Sequence, residues 1–176
     1  MRLLVVEYHV HNDRWSSAET EALYNYYKAD GTPSVYFDGG NGVAGGEFDY
    51  LYARYKKIIE KELTEPPLVL IAAARHSDTV SGPVRVRLSN VSGQVINEAQ
   101  LFGVAYQDHE NERHYFQVTD FVTVHVSTLA QGETLELELN FENQASLLNV
   151  VVFLKSSSGK ILQAVLLPGS DNLWLP

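Results

Sequence analysis

Hydrophobic residues follow two different periods along this chain. Between Glu47 and Leu63 the apolar positions recur about every 3.6 residues and charged residues occupy the other side, which predicts an amphipathic helix. Pro66 and Pro67 follow closely, and neither can continue a helix. Beyond them the apolar runs are short and separated by turn residues, which is typical of strands. The change of period predicts two domains, residues 1–66 and 67–176.

The first domain combines strand-like and helix-like segments. Leu3–Val10 begins with a continuous Leu-Leu-Val-Val run, which predicts a strand covered on both faces. Ser16 and Glu19 have the spacing of a capping box, which predicts a helix that ends near Gly31. Val35–Phe37 then predicts a short strand, and the glycine-rich residues after it predict a hairpin return.

The second domain reads as strands throughout. Seven short apolar runs, separated by turn residues, predict an antiparallel β-sandwich of the immunoglobulin-like kind. In the fifth run leucines alternate with glutamates, so we expect one face of that strand to meet the core and the other to meet water. The predicted strands are Leu68–Ala74, Val84–Leu88, Gln100–Tyr106, Phe121–Val126, Thr134–Phe141, Asn149–Leu154 and Ile161–Leu167.

Composition changes this picture mainly by exclusion. The formal net charge is -9 and no long cluster of lysine or arginine offsets it, which argues against nucleic acid and anionic membranes as partners. The absence of cysteine excludes disulfides, thiolate metal ligands and a cysteine nucleophile. The apolar runs are too short to span a bilayer, and none has the pattern of a secretory signal. Because a predicted strand follows Met1 at once, we expect the natural protein to begin upstream.

Few residues form a pattern that points to chemistry. His9 and His11 lie two apart in a strand pattern, so both side chains could point to one face, where Asp13 or another histidine could complete a metal site. Two imidazoles are too few for a metal site, and a structural or exposed role is the favoured interpretation. The sequence contains no nucleophile elbow, phosphate-binding glycine loop or distinctive carboxylate pair. We therefore expect neither catalytic residues nor a cofactor.

A family resemblance adds to this reading. Gly31-Thr32-Pro33 resembles the cis-proline turn of a thioredoxin fold, without the cysteine pair that such a turn normally faces. In its wider context the turn resembles the exported Omp28-related proteins, in which a thioredoxin-like part precedes a β-sandwich. The resemblance implies an α+β chain: a truncated thioredoxin-like α/β unit followed by the immunoglobulin-like sandwich. The segments that carry it are Glu7–Val10, Trp15–Ser17 and Gly31–Gly39, with Asn149–Leu154 and Ile161–Val165 resembling the closing hairpin of the sandwich.

The resemblance also implies a function. We expect a non-catalytic protein of the bacterial cell envelope, exported, that binds a protein or peptide. The backbone at Thr32 and Pro33 is the candidate contact, although a purely structural turn is the favoured interpretation of these two residues. In the family, a strand and a Cys-x-x-Cys helix precede the segment that begins here at Met1. Without that strand, rows of backbone groups in the sheet would lack partners. Either the two remaining strands pair directly as a right-handed βαβ unit, or another chain contributes a strand or helix. We expect the second, a homodimer formed through residues 1–66.

Two other functions stay open at this point. The natural protein could be a thiol–disulfide oxidoreductase whose Cys-x-x-Cys segment lies upstream of this chain. The sandwich could instead bind carbohydrate or protein, with residues 1–66 as a docking base. Tyr24, Tyr26 and Tyr27 could likewise form an aromatic platform for a ligand, although packing of the predicted helix is the favoured interpretation.

Overall fold

A computed structural model describes residues 3–11, 13–14, 16–75, 83–109, 115–142 and 148–169. These residues form two helices and nine strands. In chain order the elements are α1 (Ala18–Tyr27), β1 (Ser34–Phe37), β2 (Gly40–Ala44), α2 (Phe48–Glu62), β3 (Val69–Arg75), β4 (Val84–Asn90), β5 (Ile96–His109), β6 (Tyr115–Leu129), β7 (Thr134–Leu139), β8 (Asn149–Lys155) and β9 (Ile161–Leu167). Neither helix in the described part of the chain is long and apolar enough to cross a membrane.

The predicted β-sandwich is confirmed. Strands β3, β4 and β7 form one antiparallel sheet in that order, and a second antiparallel sheet has the order β6, β5, β8, β9. Their inward side chains form one cluster of buried leucine, valine and alanine, including Leu88, Leu101, Leu139 and Leu154. Burial of that apolar surface is the main source of stability for two stacked sheets.

Gly103 shows how closely the two sheets approach each other. It lies in the middle of β5, paired with Val122 on one side and Val152 on the other. A Cβ atom at this position would come within 2.7 Å of both Leu139 Cδ1 and Phe141 Cζ. A residue without a side chain therefore leaves the space that these two apolar side chains fill.

The outer face of the three-stranded sheet meets solvent, as the alternation in β7 predicts. Arg85 lies directly opposite Glu138, and Arg87 directly opposite Glu136. The paired nitrogen and oxygen atoms are 3.3 and 2.6 Å apart. All four side chains are exposed, so these pairs keep this face soluble and set register rather than supply much stability.

The four-stranded sheet differs, because its outer face is buried too. Phe102, Val104 and Val151 point away from the sandwich core, yet at most 5% of each is exposed. Residues of the first third of the chain pack on this face, since Lys155 of β8 extends beneath the Tyr26 ring of α1. The first third of the chain, residues 3–66, thus packs against this face at the Lys155 end of β8.

The expected α+β fold, with a truncated thioredoxin-like unit, is wrong. The described residues are mainly β-structure, in three antiparallel sheets with two helices. Leu3–Val10 is extended but is not a strand of any described sheet. Among the described strands β1 pairs only with β2, as an antiparallel hairpin. The physical reason is that an apolar extended run becomes a strand only where a neighbouring backbone offers hydrogen-bonding partners. No described segment offers them to residues 3–8.

The predictions of single elements in residues 1–66 agree more closely with the structure. The amphipathic helix is confirmed as α2, and the hairpin after Pro33 is confirmed as β1 and β2. The first helix is present but begins one residue later than predicted: Ser17, not Ser16, is the N-cap, and its capping-box partner is Thr20, not Glu19. The division into domains at residue 66 stays a prediction.

Candidate functional site

The turn before β1 is held in place on both sides. The Thr32–Pro33 peptide bond is cis. The Pro33 carbonyl accepts a hydrogen bond from the Gly45 backbone N–H at 3.1 Å, and the Ser34 hydroxyl donates to the Gly31 carbonyl. Thr32 and Pro33 are both exposed. The turn is therefore an anchored surface feature.

Thr32 keeps its own backbone groups available. Neither its N–H nor its C=O is hydrogen-bonded to any residue that the structure describes. The strand that follows is β1. Among the described residues it has a hydrogen-bonded neighbour strand on one edge only. An extended segment that approached this turn would meet unpaired donors and acceptors.

Aromatic rings lie close to the turn. The rings of Tyr27 and Tyr36 stack with centroids 4.4 Å apart, and the Tyr36 hydroxyl donates to the Tyr27 carbonyl at 3.2 Å. Burial raises the pKa of both phenols. Tyr26 meets Tyr27 edge to face at 84°, and Tyr24 contacts His11 instead. The three tyrosines of α1 therefore do not form one flat platform, and Tyr27 packs as the favoured interpretation predicts.

The two candidate metal ligands have different neighbours. His9 Nδ1 lies 3.4 Å from an Asp13 carboxylate oxygen, whereas His11 Nδ1 lies 3.8 Å from a Glu21 oxygen, and the His11 ring rests against Tyr24. Among the described residues no group of three or more metal-ligating side chains converges. His9 does approach Asp13, as the sequence pattern allows, but His11 does not join that pair in a shared site.

Lys155 was not singled out from the sequence. Only 8% of it is exposed, and its Nζ atom lies 4.2 Å from the Tyr26 ring centroid and 4.7 Å from that of Phe102. Burial lowers the pKa of its ammonium group, while the two rings favour the charged form. One signal was available, because Lys155 directly follows five apolar residues, but its ring partners lie far away in sequence.

A second cluster missed by the sequence joins the first third to the β8–β9 turn. The Asp38 carbonyl accepts a hydrogen bond from the Ile161 N–H at 2.8 Å, and Lys160 Nζ lies 3.9 Å from a Glu62 oxygen. Burial and then the Glu62 charge raise the pKa of the Asp38 carboxyl, and Lys160 acts against them. The hydrogen bond from Ile161 to Asp38 and the Lys160–Glu62 ion pair thus form a joint between residues 3–66 and the β8–β9 turn.

Comparisons with known proteins give little. No protein-family model matches the chain, and no curated protein matches it. Among solved structures it is similar to a β-glucosidase from Streptomyces venezuelae, at 15% identity over 63% of this chain and 17% of that one, with a TM-score of 0.31. It is also similar to a β-D-glucoside glucohydrolase from Trichoderma reesei, at 14% identity over 76% of this chain and 25% of that one, with a TM-score of 0.31.

A structural-genomics target, SoR45, is similar at 12% identity over 61% of this chain and 90% of that one, with a TM-score of 0.30. The chain spans 17% and 25% of the length of the two glucosidases. Likenesses at these TM-scores carry no argument about function. The geometry of the turn itself offers backbone hydrogen-bonding groups beside the Tyr27 and Tyr36 rings.

Proposed function

We propose that this chain is a non-catalytic binding protein that holds an extended protein or peptide segment by its backbone at Thr32 and Pro33. One observation carries the proposal: Thr32 is exposed, its backbone N–H and C=O are not hydrogen-bonded to any described residue, and its neighbours fix the turn. A fixed turn loses little conformational entropy when a partner binds, which favours recognition of a flexible segment.

Charge indicates the kind of partner. The formal net charge of -9 attracts basic segments and repels acidic ones, and electrostatic attraction mainly raises the association rate. The Tyr27–Tyr36 stack beside the turn supports apolar or aromatic side chains next to the bound backbone. We therefore propose an extended ligand in which basic and apolar residues alternate.

Location and partners beyond the peptide are also proposals. The exported, cell-envelope location and the relation to Omp28-related proteins rest on sequence motifs alone. An oxidoreductase function would require a Cys-x-x-Cys segment, and this chain has no cysteine to supply it. Association of two copies through residues 1–66 is supported by the backbone of Leu3–Tyr8, which is extended and not hydrogen-bonded to described residues.

A pair of substitutions at one position tests the peptide site. An array of peptides of about 12 residues supplies a ligand, whose affinity for the full chain is then measured by calorimetry. Thr32→Ala keeps the backbone N–H and should leave the affinity within about threefold of the unmodified chain. Thr32→Pro removes that N–H and leaves a peptide carbonyl unpaired, so it should weaken binding by about tenfold or more.

Folding of the variants is checked by circular dichroism. Because Thr32→Pro could itself disturb the turn, a second measurement uses the unmodified chain: the Thr32 amide should become protected from hydrogen exchange when the peptide is added. The proposal fails if no array peptide binds, or if a peptide binds while the Thr32 amide stays unprotected.

A further inference from the structure

Leu3–Glu7 has the geometry of a strand with one face toward the rest of the protein and the other face toward solvent. Leu3, Val5 and Glu7 are exposed, and they alternate with the partly buried Leu4 and Val6. The exposed fractions of Leu3 and Val5 are 61% and 67%, large values for apolar side chains. A period of two in burial is the signature of an extended chain with an inner and an outer face.

The segment is fixed at its C-terminal end. The His9 carbonyl accepts a hydrogen bond from the buried Thr20 hydroxyl at 2.6 Å, and the Val10 carbonyl accepts one from the Asp13 N–H. Burial, followed by the nearby Tyr27, strongly raises the pKa of the Tyr8 phenol. The C-terminal end of the segment is therefore fastened to α1 through the Thr20 hydroxyl.

What the segment lacks is a neighbour for its backbone. From Leu3 to Tyr8 no backbone group is hydrogen-bonded to any residue that the structure describes. The Leu-Leu-Val-Val run also has a high strand propensity and carries no charge. An extended, apolar and unpaired backbone is a template for strand addition.

We propose that Leu3–Glu7 pairs, antiparallel, with the same segment of a second copy of this chain. This rests on the homodimer proposed above and names its contact surface. A two-fold axis through Val5 sets Val5 opposite its own copy, Leu4 opposite Val6 and Leu3 opposite Glu7, so each outer residue meets an outer one. The two Glu7 carboxylates then lie about 13 Å apart along the strands, and no like charges face each other.

Self-pairing also predicts a weak dimer with an unusual salt dependence. Two short strands bury less than the roughly 1,200 Å² of a standard interface, so the dissociation constant should be micromolar or weaker. Each copy carries a formal charge of -9, and salt screens the repulsion between them. Dimerisation should therefore strengthen as the salt concentration rises.

Sedimentation of the full chain between about 5 and 500 μM tests the surface. Val5→Lys places a charge on the outer face of the pairing segment and should weaken dimerisation by about tenfold or more. Val95→Lys is the matched control, because Val95 is also an exposed valine, at 53%, but lies just before β5. It should leave the dimer unchanged.

The outcomes separate the proposals. A chain that stays monomeric throughout this concentration range overturns both the homodimer and the pairing strand. A dimer that Val5→Lys leaves intact, or that both lysine variants weaken equally, keeps the homodimer but overturns the pairing strand. Protection of the amides of residues 3–8 from hydrogen exchange, seen only at dimer-forming concentrations, would support it. None of these results bears on peptide binding at Thr32.

Discussion

Asp38 acts at the joint through both its backbone carbonyl and its side-chain carboxyl. Its φ angle is 45°, in the left-handed region that aspartate and asparagine tolerate better than most residues. Its carbonyl binds the Ile161 N–H, whereas its carboxyl has a raised pKa caused first by burial and then by Glu62. The backbone of this residue thus stabilises the joint while its ionised side chain works against it.

Asp38→Asn should separate the two effects. A carboxyl with a raised pKa in the folded state favours folding when protonated, and that contribution is lost as pH rises from about 3.9 through the raised value. The variant should therefore gain about 0.5 kcal/mol or less in unfolding free energy at about pH 7 and nothing at about pH 3. Urea denaturation at both pH values measures this, with the exposed Glu65→Gln as control. An equal change at both pH values would contradict it.

The sequence predicted those residue roles that depend on the local backbone and missed those that depend on distant contacts. Thr32 and Pro33 were predicted at an exposed turn because glycine and proline act on their own local backbone. Lys155 and Asp38 were missed because their contacts are with residues far away in the chain. Lys155 lies against the Tyr26 and Phe102 rings, and Asp38 is hydrogen-bonded to Ile161. No local pattern carries that information.

Among the elements, α1 depends on one buried hydroxyl. Thr20 Oγ1 accepts from the Ser17 N–H at 2.9 Å and lies within donating distance of the His9 carbonyl. The Thr20 N–H completes the capping box by donating to the Ser17 hydroxyl. Because Thr20 is only 1% exposed, water cannot replace these bonds. This side chain therefore both begins the helix and fastens the extended segment before it.

Thr20→Val keeps the shape and removes the hydroxyl. It should lower the unfolding free energy by about 1–3 kcal/mol, because buried groups lose their partners. Thr64→Val, at an exposed position just beyond the C-terminal end of α2, loses a single bond to the Lys61 carbonyl and should cost about 0.5 kcal/mol or less. Chemical denaturation measures both. Equal losses for the two variants would show that the capping box contributes nothing beyond a surface hydrogen bond.

The elements also show where pattern analysis works. Period alone identified α2 and the strands of the sandwich, since each has one apolar face. It was wrong about Leu3–Val10. An apolar extended sequence is able to pair, but a strand also requires a backbone partner from elsewhere in the chain. The N-cap is Ser17 instead of Ser16 for a similar reason. Thr20, whose hydroxyl bonds to the distant His9 carbonyl, takes the capping-box position that the pattern assigns to Glu19.

For the whole molecule, the informative feature is the close approach between the first third and the β8–β9 turn. A Cβ atom on Gly39 would lie 2.1 Å from the Gly159 carbonyl oxygen, closer than any real contact. Nearby, the Tyr26 hydroxyl would lie 2.8 Å from a Cβ atom on Gly159. Glycines thus let two backbones meet where the Asp38–Ile161 hydrogen bond crosses the joint.

Gly39→Ala should therefore disrupt the joint, and the chain offers a matched control. Gly132 has nearly the same φ angle, 72° against 76°, but a Cβ atom there would meet nothing within 4 Å. Both alanine variants should lose about 1–2 kcal/mol from left-handed strain, which cancels in the comparison. Gly39→Ala should lose about 1–3 kcal/mol more, because the backbones must separate and the bond between Asp38 and Ile161 weakens. Denaturation measures the difference, and hydrogen exchange at the Ile161 amide should rise only in Gly39→Ala. If the two variants lose the same stability, the first third is not fastened to the sandwich at this point.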